Sequence, residues 1–368
     1  MPSSTATPSS YPRETETYRL EDIPSESVVI KVYAASLNAR DHQIATGSYP
    51  APVSAKTGLI PLSDASGVVV GVGREVKRFQ PGDRVVSHLN QDWKFGEMLA
   101  EEMQLKALGG GQKDGVLSKY SLLHQDNLIK IPDHLSFEQA STLTVANLTA
   151  FHCLFGHERS LQPGQTVLIQ GTGGVSTSAL QYSLSLGARP IVISSSGEKL
   201  ERCQALGVEE RDCINYTEVK DWQARVMELT EGRGVDHTIE IGGRNTLIKS
   251  LSCTSNQGCV WVVGYMDDFS SSSPPSSTQM QGLDIPKAIL YTQATVRGVM
   301  CGSLRLFEQL LRSHSNEEKR FKRGLTNSNL LQPIVGKVFP FHQAKEAFEC
   351  LGKGEFFGKV VIKVADDE

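Results

Sequence analysis

Residues 166–199, TVLIQGTGGVSTSALQYSLSLGARPIVISSSGEK, constrain the fold more than any other stretch of the chain. A β-branched apolar run over 166–170 is followed by a glycine turn and an amphipathic segment over 176–186. A Gly-Ala break and a second apolar run, 190–194, complete the stretch. The succession predicts strand, helix and strand of one β-α-β unit. The turn Gly171-Thr172-Gly173-Gly174-Val175-Ser176 lies directly between strand and helix, the context a dinucleotide fingerprint requires. What it needs is backbone: glycine turns tightly and lets a pyrophosphate approach amide N–H groups at the positive end of a helix dipole. Gly173, Gly174, Val175 and Ser176 are the residues expected to present those amides. Ser176 replaces the usual third glycine and is small enough to keep helix and strand close.

The end of the second strand bears on which nucleotide is used. NAD selection commonly places Asp or Glu roughly 20 residues beyond the first glycine, where it accepts from the ribose 2′-hydroxyl. Here Ser194, Ser195 and Ser196 occupy that place, with Lys199 following and no carboxylate before Glu198. Hydroxyls and an ammonium suit a 2′-phosphate, whose charge a carboxylate would repel. The expected cofactor is therefore NADPH, held by Ser195, Ser196 and Lys199. The same Ser-Ser-Ser-Gly run also reads as a polar turn capping the next helix.

A chain of 368 residues has room for two domains. Its net charge of −4 and lack of a basic stripe argue against a nucleic-acid partner. No window is long and apolar enough to span a membrane. The seven cysteines are odd in number, scattered and without a CxxC pair, as free thiols in a reducing compartment would be. With no apolar or Arg-rich leader over 1–18, the expected location is cytoplasmic.

In chain order, the Ser/Thr/Pro-rich residues 1–16 read as a disordered tail. A strand is predicted over 27–35, followed by Asn38-Ala39-Arg40-Asp41-His42 and a turn through Gly47. Further short strands, among them 84–87, 115–121 and 127–131, are punctuated by Gly and Pro-Gly-Asp, which suggests a compact β-barrel-like domain over 17–147. Residues 89–115 read as a long polar loop, and Ser136 with Gln139 as the capping box of a helix pair over 136–154. From 148 to 302 helices alternate with buried strands, the pattern of a doubly wound parallel sheet. A low-complexity insert over 269–278 interrupts it before a last strand at 294–299. Residues 303–368 carry a helix near 304–312, strands at 336–339 and 359–364 and a helix at 342–351, and are expected to return to the first domain.

These motifs together resemble the medium-chain dehydrogenase/reductase superfamily. The likeness rests on Asp64-Ala-Ser-Gly67, Gln80-Pro-Gly-Asp83-Arg-Val, Gly171–Ser176, Ile214-Asn-Tyr216, Gly234-Val-Asp236 and Gly358-Lys-Val-Val-Ile362 in the right order. The resemblance implies an α/β fold, a Rossmann doubly wound parallel sheet inserted in a β-rich GroES-like barrel catalytic domain. It implies that Tyr216 packs near the adenine ribose, although a plain strand-end aromatic reads as well. It implies that Thr149, Gly242, Val263, Gly264 and Met300 line the nicotinamide, and that two nucleotide domains pair into a homodimer.

In the zinc alcohol dehydrogenases of the superfamily, the metal ligands fall where this chain has Asn38, Ser63-Asp64 and Ala146, and no cysteine precedes Cys153. Such a set lacks the thiolates and imidazoles zinc prefers, so no metal ligands are expected. The resemblance therefore narrows to the zinc-independent branch of quinone oxidoreductases and enone reductases. Asn38, Arg40 and Asp64 are the candidate catalytic residues, with Asn38 or Arg40 donating to a developing oxyanion. Asp41 and Asp64 read equally as braces of the loop, Trp93 as a substrate roof or as packing, and His42 as a solvated residue. The implied reaction is NADPH-dependent transfer of hydride to an α,β-unsaturated carbonyl or a quinone. A metal-free carbonyl/alcohol oxidoreductase and a non-catalytic NADPH-binding protein are the alternatives.

Overall fold

The computed structural model describes residues 22–50, 54–98, 106–265, 285–323 and 331–366. The tail at 1–16 and the insert at 269–278 lie outside them. The chain divides into two units, one of residues 1–148, 302–327 and 332–368 and the other of 149–301 and 328–331. The described strands, in chain order, are β1 (Ser27–Ser36), β2 (Asp64–Val72), β3 (Arg84–Ser87), β4 (Tyr120–His124), β5 (Leu128–Lys130), β6 (Thr166–Gln170), β7 (Arg189–Ser194), β8 (Cys213–Asn215), β9 (Val235–Glu240), β10 (Thr254–Val262), β11 (Thr295–Gly298), β12 (Val335–Pro340) and β13 (Lys359–Lys363).

In the first unit β1 is the hub. Its sequence, SVVIKVYAAS, is apolar on both faces because both are covered. The sheet runs β12-β13-β1-β2-β3-β5, with β4 also paired to β1. Two irregularities in the β1–β2 register, at Val29/Ile30 and Val32/Ala34, mark places where extra residues bend the strand. Curling lets Val28, Ile30, Val32, Val85, Leu123, Leu128, Val360 and Ile362 share one core. Each such buried side chain is worth about 1.5–3 kcal/mol of transfer energy. The C-terminal segment re-enters this sheet through β13, antiparallel to β1 with Ser36 opposite Val361.

The first unit departs from the sequence expectations in three places. Residues 39–46, which carry no element in the sequence reading, form a helix ended by Gly47 in the left-handed region at φ 71°; the ARDHQIAT sequence carries too little apolar periodicity to reveal it. The strand expected at 115–121 is instead Tyr120–His124. Gly115, Val116 and Leu117 direct their amides to carbonyls of Ile60, Pro61 and Leu62, so their apolar character reflects burial in a loop. The helix at 304 continues to Lys322 rather than ending near 312. Its inward stripe passes from Leu310 and Leu311 to His314 and Glu317, polar residues that hide the periodicity.

The second unit holds a parallel sheet ordered β11-β10-β9-β6-β7-β8. From β6 the chain winds outward through β7 and β8, then returns to β9 on the other side of β6 and winds outward again. The order reverses beside β6, the switch point at which open α/β sheets bind ligands. The strands predicted at 166–170, 190–194 and 294–299 are present as β6, β7 and β11. The helix after β6 spans Gly174–Leu186 and tolerates its many hydroxyls because Thr177, Ser178 and Ser183 each donate to the carbonyl four residues earlier. No helix among the described residues is long and apolar enough to cross a membrane.

Gly67 lies on β2 opposite Val32. A Cβ there would stand 2.1 Å from the Lys31 carbonyl oxygen, which backbone alone can accommodate. Gly67→Ala is expected to destabilise the first unit by about 3 kcal/mol, the upper end for overpacking, as read from its denaturant midpoint. A loss under about 0.5 kcal/mol would contradict this packing.

Candidate functional site

In the first unit the polar residues of the Asn38–His42 segment meet the start of β2 and β13. Asn38 precedes the helix Ala39–Thr46, and its N–H donates to Asp41 Oδ2 at 2.7 Å. Its side-chain Oδ1 accepts from Lys359 Nζ at 2.6 Å. The same ammonium donates to the Leu37 carbonyl at 2.6 Å and stands 3.6 Å from Asp64 Oδ2. Asp64 Oδ1 in turn accepts from Ser63 Oγ at 2.5 Å, and Oδ2 from Ser36 Oγ at 3.3 Å.

The three candidate catalytic residues differ in what they have free. Asp64 is fully buried, with both oxygens engaged, so its position is that of a brace. Arg40 donates to the Leu108 carbonyl and lies 3.8 Å from Asp41, which ties it to the loop following the described residue 106. Asn38 is 9% exposed, and its Nδ2 has no hydrogen-bond partner among the described residues. A buried, unsatisfied N–H donor costs on the order of 1–3 kcal/mol, recovered when an acceptor arrives. Trp93 is buried and donates its indole N–H to the Gly96 carbonyl at 2.8 Å, the geometry of packing beneath its loop.

In the second unit the expected cofactor residues other than Thr149 lie in the segments that follow the parallel strands. Gly171 turns at φ 69°, and Ser176 Oγ donates to the Gln170 carbonyl at 2.7 Å, fastening the helix start to β6. No side chain caps the amides at Gly173, where the Gly174–Leu186 helix begins. Gly173 has φ −78°, and an added Cβ would meet nothing within 4 Å. Neither its backbone angle nor packing within the protein requires glycine there, whereas the close approach of a phosphate does. The residues present therefore fit a dinucleotide pyrophosphate.

Ser194 ends β7 beside Asn215 of β8, and Tyr216 N donates to the Ser194 carbonyl at 3.0 Å, so the serine run and Tyr216 are neighbours. Ser195 is exposed and Tyr216 is 40% exposed. Ser196 Oγ accepts from Lys199 N at 3.4 Å, so it also caps the next helix. Gly242 and Gly243 follow β9, Val263 and Gly264 follow β10, and Met300 follows β11. Gly264 passes close to Ile241, whose carbonyl oxygen would lie 2.7 Å from an added Cβ. Thr149 is buried in the helix Leu148–Phe155 of the same unit.

Two further groups escaped the sequence reading. Glu240, fully buried at the end of β9, accepts from Gln170 Nε2 at 2.6 Å, Ser250 Oγ at 2.5 Å and Gly243 N at 2.9 Å, and from Thr246. Gln170 Oε1 accepts from the Ile241 and Gly242 amides at 3.0 Å each. The two side chains thus fix the glycine loop after β9; Gln170, a polar residue closing the apolar run of β6, was the available signal. Lys359 was the other, a lysine opening β13 ahead of the apolar Val360-Val361-Ile362.

A doubly wound parallel sheet with an uncapped glycine turn, joined in one chain to a β-rich barrel unit, defines a dinucleotide-binding protein with a GroES-like partner domain. Residues 24–133 match the alcohol dehydrogenase GroES-like domain family, and residues 174–316 the family described as zinc-binding dehydrogenase. The chain is 36% identical over 338 residues to a zinc-type alcohol dehydrogenase-like protein of Schizosaccharomyces pombe, covering 92% of this chain and 90% of that one. It is 31% identical over 233 residues to a crotonyl-CoA reductase of Streptomyces avermitilis, covering 56% of this chain and 52% of that enzyme. A crystal structure from Sinorhizobium meliloti 1021, provisionally assigned as an alcohol dehydrogenase, superposes with a TM-score of 0.78 at 34% identity, covering 93% of this chain and 92% of that one. The chain belongs to the medium-chain dehydrogenase/reductase superfamily, whose oxidoreductases bind nicotinamide cofactors.

The residues around Asn38 and Asp64 are poorly suited to the zinc that some of these relatives' names carry. Lys359 Nζ lies against Asn38 Oδ1 and near Asp64, and Ser63 spends its hydroxyl on Asp64. A dication bound to the same oxygens would face a buried ammonium, a repulsion of several kcal/mol even at an effective dielectric of about 20. Among the described residues no three His, Cys, Asp or Glu side chains cluster as metal ligands. The donor set does not fit zinc.

Burial pushes the Asp41 carboxyl up to about 6, with Arg40 opposing the shift and Asp64 adding to it. Because the folded value lies above the unfolded one, the contribution of Asp41 to stability is complete below pH ~4 and is lost as pH rises through ~6. Asp41→Asn cannot ionise, so its stability relative to wild type is expected to rise by roughly 2–3 kcal/mol between pH 4 and 7. Urea unfolding at both pH values tests this, and a constant difference would refute it.

Proposed function

We propose that the protein is an NADPH-dependent, metal-independent reductase that delivers hydride to an α,β-unsaturated carbonyl or a quinone. The observation that carries the reading is the buried Asn38 Nδ2, a donor left without a partner where the zinc enzymes keep a metal ligand. When bound, the nicotinamide supplies a hydride to the β-carbon of the acceptor. Asn38 donates to the carbonyl oxygen as enolate charge develops there, a contribution of the oxyanion-hole kind. The α-carbon then takes its proton from solvent, which completes the reduction. The likeness to a crotonyl-CoA reductase, whose substrate name denotes a conjugated thioester, favours such acceptors.

The nucleotide side of the proposal rests on amides. Gly173, Gly174, Val175 and Ser176 hold the pyrophosphate, and Ser195, Ser196 and Lys199 meet the 2′-phosphate, with Tyr216 beside the ribose. Gly242, Val263, Gly264, Met300 and Thr149 surround the nicotinamide. We also propose a homodimer. β11 is the outer strand of its sheet, and the neighbouring helix Ile285–Thr292 leaves Leu290 and Tyr291 more than 70% exposed. Seven free cysteines, six of them buried, favour a reducing, cytoplasmic setting.

Oxidation of NADPH and NADH against a quinone, a linear enone, a cyclic enone and an aldehyde, each with and without a strong chelator, tests the reaction. Chelator-insensitive, NADPH-selective turnover of an enone or quinone is expected. Activity confined to the aldehyde and lost on chelation would overturn it, and NADPH retention without turnover would point to a binding protein. Lys199→Ala is expected to weaken NADPH binding about tenfold, the worth of one charge-assisted contact, and to leave NADH binding within about twofold. Equal weakening of both cofactors would remove Lys199 from the 2′-phosphate site.

A further inference from the structure

We propose that Lys359 is a positioning residue for the reduction: its ammonium captures the oxygen of the Asn38 amide and so holds the amide NH2 free for the substrate. The proposal rests on the role given to Asn38 above. Asn38 and Lys359 are 321 residues apart in the chain and meet because β13 lies beside β1. Leu37 N donates to the Val360 carbonyl at 3.0 Å, which draws the start of β13 against the end of β1.

An ammonium has three donors and no acceptor. Here those donors face three acceptors: the Leu37 carbonyl and Asn38 Oδ1 at 2.6 Å each, and Asp64 Oδ2 at 3.6 Å. Only the oxygen end of the Asn38 amide can face such a group, so the NH2 end must point away from it. That is the end found buried and without a partner.

Two carboxylates, Asp41 and Asp64, act on the same ammonium. Without the cation they would be the strongest acceptors near Asn38, and an amide free to rotate would turn its NH2 toward one of them. Lys359 therefore keeps the donor unspent as well as oriented. An amide whose oxygen accepts from a cation is also polarised into a better N–H donor. The carboxylates explain why a buried lysine is tolerated, since an unpaired buried charge would be prohibitive. Asp64 acts through Lys359, and Lys359 through Asn38.

The test is a double-mutant cycle read in steady-state reduction of the best enone or quinone, with NADPH affinity measured separately. Asn38→Ala is expected to lower kcat about 100-fold, the cost of losing one oxyanion donor, with NADPH affinity within about twofold. Lys359→Met is expected to lower kcat by a similar factor, and Lys359→Arg, which keeps a donor, to recover part of it. In the Asn38→Ala background Lys359→Met should add less than about twofold. Because Lys359→Met strands two carboxylates, Asp64→Asn/Lys359→Met is measured beside it; it removes one charge of each sign and should show the same kcat loss in a folded protein. An equal loss from Lys359→Met in both backgrounds, or unchanged kcat in the neutralised pair, would overturn the proposal. An unchanged kcat in Asn38→Ala alone would instead remove Asn38 from the reaction.

Discussion

A charged side chain placed where no water reaches it demands partners, and Lys359 is such a side chain. Its ammonium is nearly inaccessible and is bound to the Leu37 carbonyl, Asn38 and Asp64. Burial presses its pKa down, while Asp64 and Asp41 hold it up. Leaving such a cation unpaired would cost several kcal/mol, so the ends of β1, β2 and β13 are obliged to converge on it. The polar site of the first unit is therefore the place where three strands from opposite ends of the chain are locked in register.

The second unit solves a different problem by similar means. Three of its strands, β6, β9 and β10, are followed within two residues by glycines, and loops of glycine do not hold themselves. Glu240 and Gln170, buried among the strand ends, accept from the amides of Ile241, Gly242 and Gly243 and from the hydroxyls behind them. The turn after β6 has its own fastening in Ser176, whose hydroxyl reaches the Gln170 carbonyl. In both units buried polar side chains fix the backbone around the candidate site by engaging one another and nearby amides.

Much of this was legible in the linear chain. The alternation of apolar runs and amphipathic segments in the second unit survives because the central parallel strands β6, β7 and β9 are buried along nearly their whole length. The Ser136–Gln139 capping box was equally readable: Ser136 Oγ accepts from Gln139 N, and Gln139 Oε1 from Ser136 N. The first unit was less legible. The helix at 39–46 and the second half of the helix from 304 to 322 face inward with polar residues, and 116–117 is apolar without being a strand. Hydrophobic periodicity reports burial, and burial coincides with secondary structure only where the buried side chains are apolar.

The sequence by itself determined the two-part architecture and the glycine turn with its helix, because each follows from local residue types and spacing. Tertiary structure alone decided how the candidate polar groups of the first unit are engaged. Arg40 is drawn to the Leu108 carbonyl, Asp64 is enclosed by Ser36, Ser63 and Lys359, and Asn38 keeps an unpartnered N–H. Those assignments depend on contacts between residues up to 321 positions apart. The energy of a hydrogen bond or ion pair depends on its partner and its solvation, and neither is written in the order of the chain.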